Sequence, residues 1–232
     1  MSQPANQSMS QPRSRSRASS GPRRALVTGA STGIGEATVR LLRSHGWNVI
    51  ATARRVERLR ALAADTGCAW IAADLQRADD VEALAAEALG AGGVDAVVNN
   101  AGGALGADPV ADGSPQEWLT MYERNVLAAL RVTQALLPGM RERGGDVVFL
   151  TSTAAHDTYP GGAGYVAAKH GERIIANTLR LELVGEPVRI IEIAPGMVAT
   201  SEFSLNRFHG DRSRADAVYA GVEAPLSAED VA

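Results

Sequence analysis

The residues best placed by type and spacing to do chemistry are a phenol and an ammonium four positions apart, in Tyr165-Val166-Ala167-Ala168-Lys169. On a helix this spacing puts both side chains on one face, one turn apart. A free phenol titrates near pH ~10 and stays protonated at neutrality, so it acts as a general base only where positive charge stabilises its ionised form. Lys169 can supply that charge. Thirteen residues before Tyr165 stands Ser152, in Leu150-Thr151-Ser152-Thr153-Ala154. A hydroxyl there can hydrogen-bond a substrate oxygen and stabilise the negative charge that develops on it, and Thr151 and Thr153 offer the same chemistry. Asn125, in Glu123-Arg124-Asn125-Val126-Leu127, falls within a long helix predicted from about Pro115. Taken alone it is a structural amide, which needs hydrogen-bond partners if buried.

A second group of residues has the chemistry of a dinucleotide site. Thr28-Gly29-Ala30-Ser31-Thr32-Gly33-Ile34-Gly35 leads into a helix-like stretch from Glu36 to Arg43. Glycines admit backbone torsions closed to other residues and let a pyrophosphate approach the main chain, while the N–H groups of the following helix start attract its charge. About 20 residues beyond the glycines, where such a fold meets the adenine ribose, an acid would bind the 2′-hydroxyl of NAD. Here Ala53 is followed by Arg54 and Arg55, whose guanidinium groups suit a 2′-phosphate, so NADP is the expected cofactor. Arg55 also reads as the start of a solvated helix running through Arg58 and Arg60. Further along, Asp74-Leu75, Asn99-Asn100-Ala101-Gly102 and Pro195-Gly196-Met197-Val198-Ala199-Thr200 each follow an apolar run.

Those runs are the elements that must position the chemistry. They are Ala25 to Thr28, Asn48 to Ala53, Ala69 to Ala73, Val94 to Val98, Asp146 to Leu150 and Val188 to Ile193, with longer Ala/Leu/Arg/Glu-rich stretches between them. Strand-like runs alternating with helical patterns predict an α/β fold, a doubly wound and mainly parallel sheet with helices on both faces. Ligands then sit beyond the carboxyl ends of the strands, where the residues named above fall.

Taken in order, these motifs resemble the short-chain dehydrogenase/reductase family: T-G-x-x-x-G-x-G at Thr28 to Gly35, N-N-A-G at Asn99 to Gly102, Y-x-x-x-K at Tyr165 to Lys169, and P-G at Pro195-Gly196. The resemblance covers nearly all of the chain from Arg24 to Ala232. It implies one Rossmann-type domain with strand order 3-2-1-4-5-6 and hydride transfer between a nicotinamide and a substrate carbon. It implies a catalytic set in which Tyr165 exchanges the proton, Ser152 (selected over its threonine neighbours by the family's serine-to-tyrosine spacing) polarises the oxygen, and Asn125 supports a proton relay. Lys169 lowers the tyrosine pKa and holds the nicotinamide ribose. For the cofactor it implies contacts from Gly29, Ser31, Thr32, Gly33, Ile34, Gly35, Arg54, Asp74, Leu75, Asn100, Ala101, Gly102, Tyr165, Lys169, Pro195, Gly196, Val198 and Thr200. The pieces Glu202-Phe203-Ser204 and Arg207-Phe208-His209-Gly210-Asp211 resemble the branch of NADP-dependent 3-hydroxy acid and serine dehydrogenases. Arg207 could bind a substrate carboxylate or form a surface ion pair.

Composition narrows the alternatives. With 232 residues, 45% of them hydrophobic, the chain can bury the core of one large domain, and a net charge of −3 gives no reason to expect nucleic acid as partner. One cysteine, Cys68, and four dispersed histidines argue for a reducing compartment and against a structural metal. The expected location is cytoplasmic, with no membrane span. Residues 1–22, rich in Ser, Gln, Pro and Arg, are expected to form a disordered tail before a domain over 23–232. Ser227 to Ala232 reads as an N-cap and the first turn of a helix, so the family's usual seventh strand is expected to be missing. The family commonly forms dimers or tetramers, and a homotetramer is expected unless the short C-terminus prevents it. A reductase of 3-oxoacyl thioesters or ketones, or a non-catalytic NADP binder, are the alternative functions.

Overall fold

The computed structural model describes residues 21–200 and 202–232. Most of the expected tail, residues 1–20, therefore lies outside the described residues, as does Ser201. Six strands, β1 (Arg24–Thr28), β2 (Asn48–Ala53), β3 (Ala69–Ala72), β4 (Ala96–Asn99), β5 (Gly145–Leu150) and β6 (Val188–Ile193), form one sheet in the order β3-β2-β1-β4-β5-β6. All neighbours pair parallel, as in Val27↔Ala51, Val27↔Val98 and Val148↔Ile191. The sheet is thus the Rossmann arrangement expected, and β6 is an edge.

The helices return the chain between parallel strands: α1 (Gly33–Ser44), α2 (Val56–Thr66), α3 (Ala78–Gly90), α4 (Pro115–Tyr122), α5 (Ala128–Arg143) and α6 (Ala163–Glu182). Alternate strand residues point to opposite faces. Leu26, Ile50, Val97 and Phe149 meet Val81, Leu84, Val132, Leu136 and Ala176, from α3, α5 and α6. Their neighbours Val27, Val49 and Ala51 meet Val39, Leu59 and Leu62, from α1 and α2. Covering both faces is why the strands read as short continuous apolar runs rather than as alternating ones.

Two local readings change. The fourth run was expected from Val94, but the strand starts at Ala96, because the Asp95 carboxylate itself accepts the Arg24 N–H at 2.8 Å. The long helix expected from Pro115 is α4 and α5 joined by a π-helical turn, Glu123–Leu127, with Asn125 at its middle. Beyond β6 come α7 (Phe203–Arg207), α8 (Arg212–Ala217) and α9 (Ala228–Val231). The expected N-cap is present: Ser227 Oγ accepts the Asp230 N–H at 3.1 Å, and the Asp230 carboxylate accepts the Ser227 N–H at 2.7 Å. This last turn packs on α1, and Leu226 bridges in parallel to Val198.

Candidate active site

A cleft of about 1150 Å³ opens along the carboxyl ends of the strands. Of the catalytic and cofactor-contacting residues expected from the sequence, all but Gly35 and Asn125 line it. Gly35 lies behind the loop that it permits. A Cβ there would stand 2.4 Å from Asn100 Nδ2 and 2.5 Å from the Gly29 carbonyl oxygen. Gly29 itself has φ +64°, a left-handed torsion that a side chain would strain. Thr28 Oγ1 accepts the backbone N–H groups of Asn100 and Ala101, each at 3.0 Å, and Asn100 Nδ2 donates to the Thr28 carbonyl at 2.8 Å. The β1 and β4 loops are thereby tied together. Thr32, the N-cap of α1, makes no side-chain cap bond, so the first N–H groups of that helix face the cleft without a local acceptor.

At the other end sit Ser152, Tyr165 and Lys169, the residues expected to do the acid–base chemistry. Ser152 Oγ accepts the Ala154 N–H at 3.1 Å and hydrogen-bonds the Tyr165 phenol. The neighbouring hydroxyls have other fates: Thr151 is buried and donates to Glu192 at 2.9 Å, and Thr153 is exposed at the rim. Tyr165 is half-buried, its ring edge-on to Phe203 at 5.8 Å, with the Lys169 ammonium 6.0 Å from the ring centre. Burial lifts the phenol above its ordinary pKa; the Lys169 charge and the Ser152 hydrogen bond draw it part of the way back, and Glu172 opposes them.

Lys169 is 4% exposed and donates to the Leu150 carbonyl at 2.9 Å and to Glu172 Oε2 at 2.6 Å. Burial pulls its pKa down, but the charges of Glu172 and Tyr165 outweigh this and hold it above the ordinary lysine value. Asn125, fully buried, spends its amide on the loop after β4: Nδ2 donates to Gly103 O at 2.8 Å and to Met121 O at 2.7 Å, and Oδ1 accepts the Gly103 N–H at 3.0 Å. A Cβ on Gly102 would strike Asn125 Oδ1 at 2.4 Å and come within 3.6 Å of Lys169 Nζ. Asn125 therefore holds the loop against the lysine, and its side chain is the satisfied amide that its buried position requires.

The third region is cationic. Arg54 is exposed at the cleft and makes no hydrogen bond or ion pair to a described residue. Arg124, from the π-helical turn, also lines the cleft; its buried Nε has no partner, and its pKa is lowered by burial and by the charge of Arg54. Arg55 does more than open a solvated helix. It donates to Ser31 Oγ at 3.0 Å and pairs with Glu202 at 2.7 Å, and Arg58 approaches the same carboxylate at 3.4 Å. Asp74 accepts the Gln76 N–H at 3.1 Å in a local turn at the cleft wall.

The segment after β6 closes the cleft. Thr153 N–H donates to the Pro195 carbonyl at 3.0 Å, and Thr200 Cγ2 lies 3.2 Å from where a Cβ of Gly33 would be. Arg207 is buried, not a surface ion pair: Nε donates to Gly106 O at 2.7 Å, and the guanidinium lies 5.9 Å from the Tyr159 ring centre and 5.6 Å from that of Phe208. No carboxylate among the described residues pairs with it. Sequence reasoning missed Glu172 and Arg124. Arg124 directly precedes Asn125 and Glu172 lies one turn after Lys169, placements common for charged residues on solvated helices, and only the packing shows that they turn inward.

The family model for short chain dehydrogenases matches residues 23–208, and the chain belongs to that family. An uncharacterized oxidoreductase of Mycobacterium tuberculosis strain H37Rv is 56% identical over 209 residues, which cover 90% of this chain and 81% of the relative. The serine 3-dehydrogenase of Agrobacterium fabrum is 44% identical over 210 residues, 89% of this chain and 84% of that enzyme. Among solved structures, the closed form of a serine dehydrogenase complexed with NADP+ superposes with a TM-score of 0.84 at 39% identity, over 90% of this chain and 85% of that one.

Proposed function

We propose that residues 23–232 form one NADP-binding domain that oxidises a small 3-hydroxy acid or β-hydroxy amino acid, or reduces the matching carbonyl. The observation that carries this reading is a single cleft with the Ser152, Tyr165 and Lys169 group at one end and Arg54 beside Arg124 at the other. The residues present fit the dinucleotide. Glycines leave room that a Cβ would fill at the Gly29 to Gly35 turn, the α1 N-terminus suits a pyrophosphate, and the guanidinium groups of Arg54 and Arg124, hydrogen-bonded to none of the described residues, suit a 2′-phosphate. When bound, the cofactor supplies or accepts the hydride. In oxidation Tyr165 takes the proton of the substrate hydroxyl, Ser152 holds the oxygen, and Lys169 favours the phenolate; in reduction Tyr165 returns the proton. Asn125 fixes the loop after β4 against Lys169. Arg207, buried and without an acidic partner, takes the substrate carboxylate.

The test is the appearance of reduced nicotinamide absorbance when the protein meets NADP⁺ or NAD⁺ with L-serine or 3-hydroxypropanoate, beside Tyr165→Phe. Turnover with NADP⁺ that vanishes in the variant supports the reading. Preference for NAD⁺ overturns the role of Arg54, and turnover only of uncharged ketones or thioesters overturns that of Arg207. Tight NADP⁺ binding without turnover across a broad panel makes the protein a cofactor binder. We further infer self-association through the exposed apolar side chains Leu119 and Tyr122 of α4 and Ile174 of α6, to be tested by sedimentation, with a monomer overturning it. No helix among the described residues is long and apolar enough to cross a membrane. A reducing cytoplasm suits the single buried, unpaired Cys68.

A further inference from the structure

Glu172 is the one carboxylate of α6 that is fully buried, and it stands one turn beyond Lys169 with Oε2 2.6 Å from Nζ. Its other oxygen, Oε1, has no hydrogen-bond partner among the described residues. Such an acid contributes little to stability. A buried ion pair with an unsatisfied oxygen is commonly no better than an apolar residue of similar volume. The physical effect of the acid falls on its one partner, and that partner is the cation on which Tyr165 depends.

The charges that act on Glu172 come from two elements. Lys169 attracts from α6, and Glu192 repels from β6. Glu192 is in turn held by Thr151 at 2.9 Å, by His156 at 3.4 Å after the turn that follows β5, and by Arg173 and Arg180 of α6 at 4.0 Å each. Tyr165 senses both members of the pair: Lys169 lowers its pKa and Glu172 raises it. Two states follow. With the carboxyl protonated, the whole field of the ammonium reaches the phenol. With it ionised, Lys169 is largely neutralised from behind and the phenol keeps its proton to higher pH. The two ionisations oppose each other through one shared cation.

We propose that Glu172 is a positioning residue for the proton transfer, holding Lys169 by its ammonium and setting, by its own charge, the pH range over which Tyr165 exchanges a proton. This depends on Tyr165 being the acid–base group of the proposed function. No bond to substrate is made by Glu172, and no proton beyond the one exchanged at the Tyr165 oxygen enters the reaction. An ionised Glu172 favours the protonated phenol that reduction needs, and a neutral one favours the phenolate that oxidation needs.

The deciding variant is Glu172→Gln, which keeps an acceptor for Nζ and removes the charge. The phenolate absorbance of cofactor-free protein is titrated in the parent and in the variant, each corrected by the same chain carrying Tyr165→Phe, so that only Tyr165 is read. Loss of the opposing charge should move its ionisation down by about one pH unit, and the rising limb of kcat/KM for alcohol oxidation should move with it. An unmoved phenol with rates merely scaled at every pH, or a shift to higher pH, overturns the proposal. Glu172→Leu fills the same space without a charge and should give the same direction of shift. In the parent itself, infrared difference spectra should show a buried carboxyl band disappearing as the pH rises through about 7, and its absence overturns the proposal whatever the variants do. If Tyr165→Phe retains full activity, it is the underlying function that fails.

Discussion

The two ends of the cleft are built on opposite principles. Lys169 and Glu172 are both buried and within hydrogen-bonding distance of each other, so the protonation of one alters that of the other. At the arginine end the charges are half-exposed, and their ion pairs can be exchanged for others: Arg55 and Arg58 share Glu202, which belongs to the segment closing over the cleft, while Arg54 pairs with none of the described residues. Low dielectric makes the first region specific and intolerant of change. Solvent screening makes the second adjustable, because exposed pairs contribute little and a phosphate can displace a carboxylate.

The largest expected effect lies in the buried region. Tyr165→Phe should lower kcat by about 10³-fold with unchanged folding by circular dichroism, because it removes the atom proposed to exchange the proton. A residual rate near the parent's would make the buried group structural. Next comes Arg54→Ala, which should raise the KM for NADP⁺ by roughly 10- to 100-fold and leave that for NAD⁺ unaltered, as expected for loss of a charge-assisted bond. An equal effect on both cofactors would move the 2′-phosphate elsewhere, Arg124 first. Gly35→Ala should cost about 1–3 kcal/mol in a denaturant titration, since its neighbour at 2.5 Å is backbone and cannot yield cheaply.

A smaller, pH-dependent difference follows from Glu172. Burial first, against the pull of Lys169, raises its carboxyl from 4.5 to about 7. The folded state therefore holds a proton that the unfolded chain releases, so this group's contribution to stability is full below about 4.5 and is lost as the pH rises to about 7. Urea midpoints at pH ~5 and ~8 should differ less in Glu172→Gln than in the parent. Smallest is Glu202→Gln, which frees Arg55 and Arg58 and should tighten NADP⁺ by about threefold, the scale of an exposed pair, and less at high salt.

How much could be read beforehand differs between the regions for the same reason. The glycine turn, the strand ends and the Tyr165 and Lys169 pair were legible because each depends on local torsion or on spacing along one element. The strand runs were too, apart from the start of β4, where the Asp95 side chain takes a ladder position. Asn125 was legible only as an amide needing partners; that it sits in the π turn between α4 and α5 and holds Gly103 depends on a loop 22 residues away. The sequence offers Arg55 either as a guanidinium for a 2′-phosphate or as a solvated helix start, yet its partners are Ser31 and Glu202, distant in sequence.

By itself the sequence determined the parallel α/β order, the Gly-rich loop geometry and which side chains share the face of α6, since all of these follow from backbone torsion and from the periods of helix and strand. Which charges are buried, and therefore which of them act on one another, was settled only by packing. Glu172 beneath Lys169, Arg124 beside Arg54 and Arg207 held by the Gly106 carbonyl are ordinary charged residues in the linear chain, and they acquire their chemistry from the elements that pack around them.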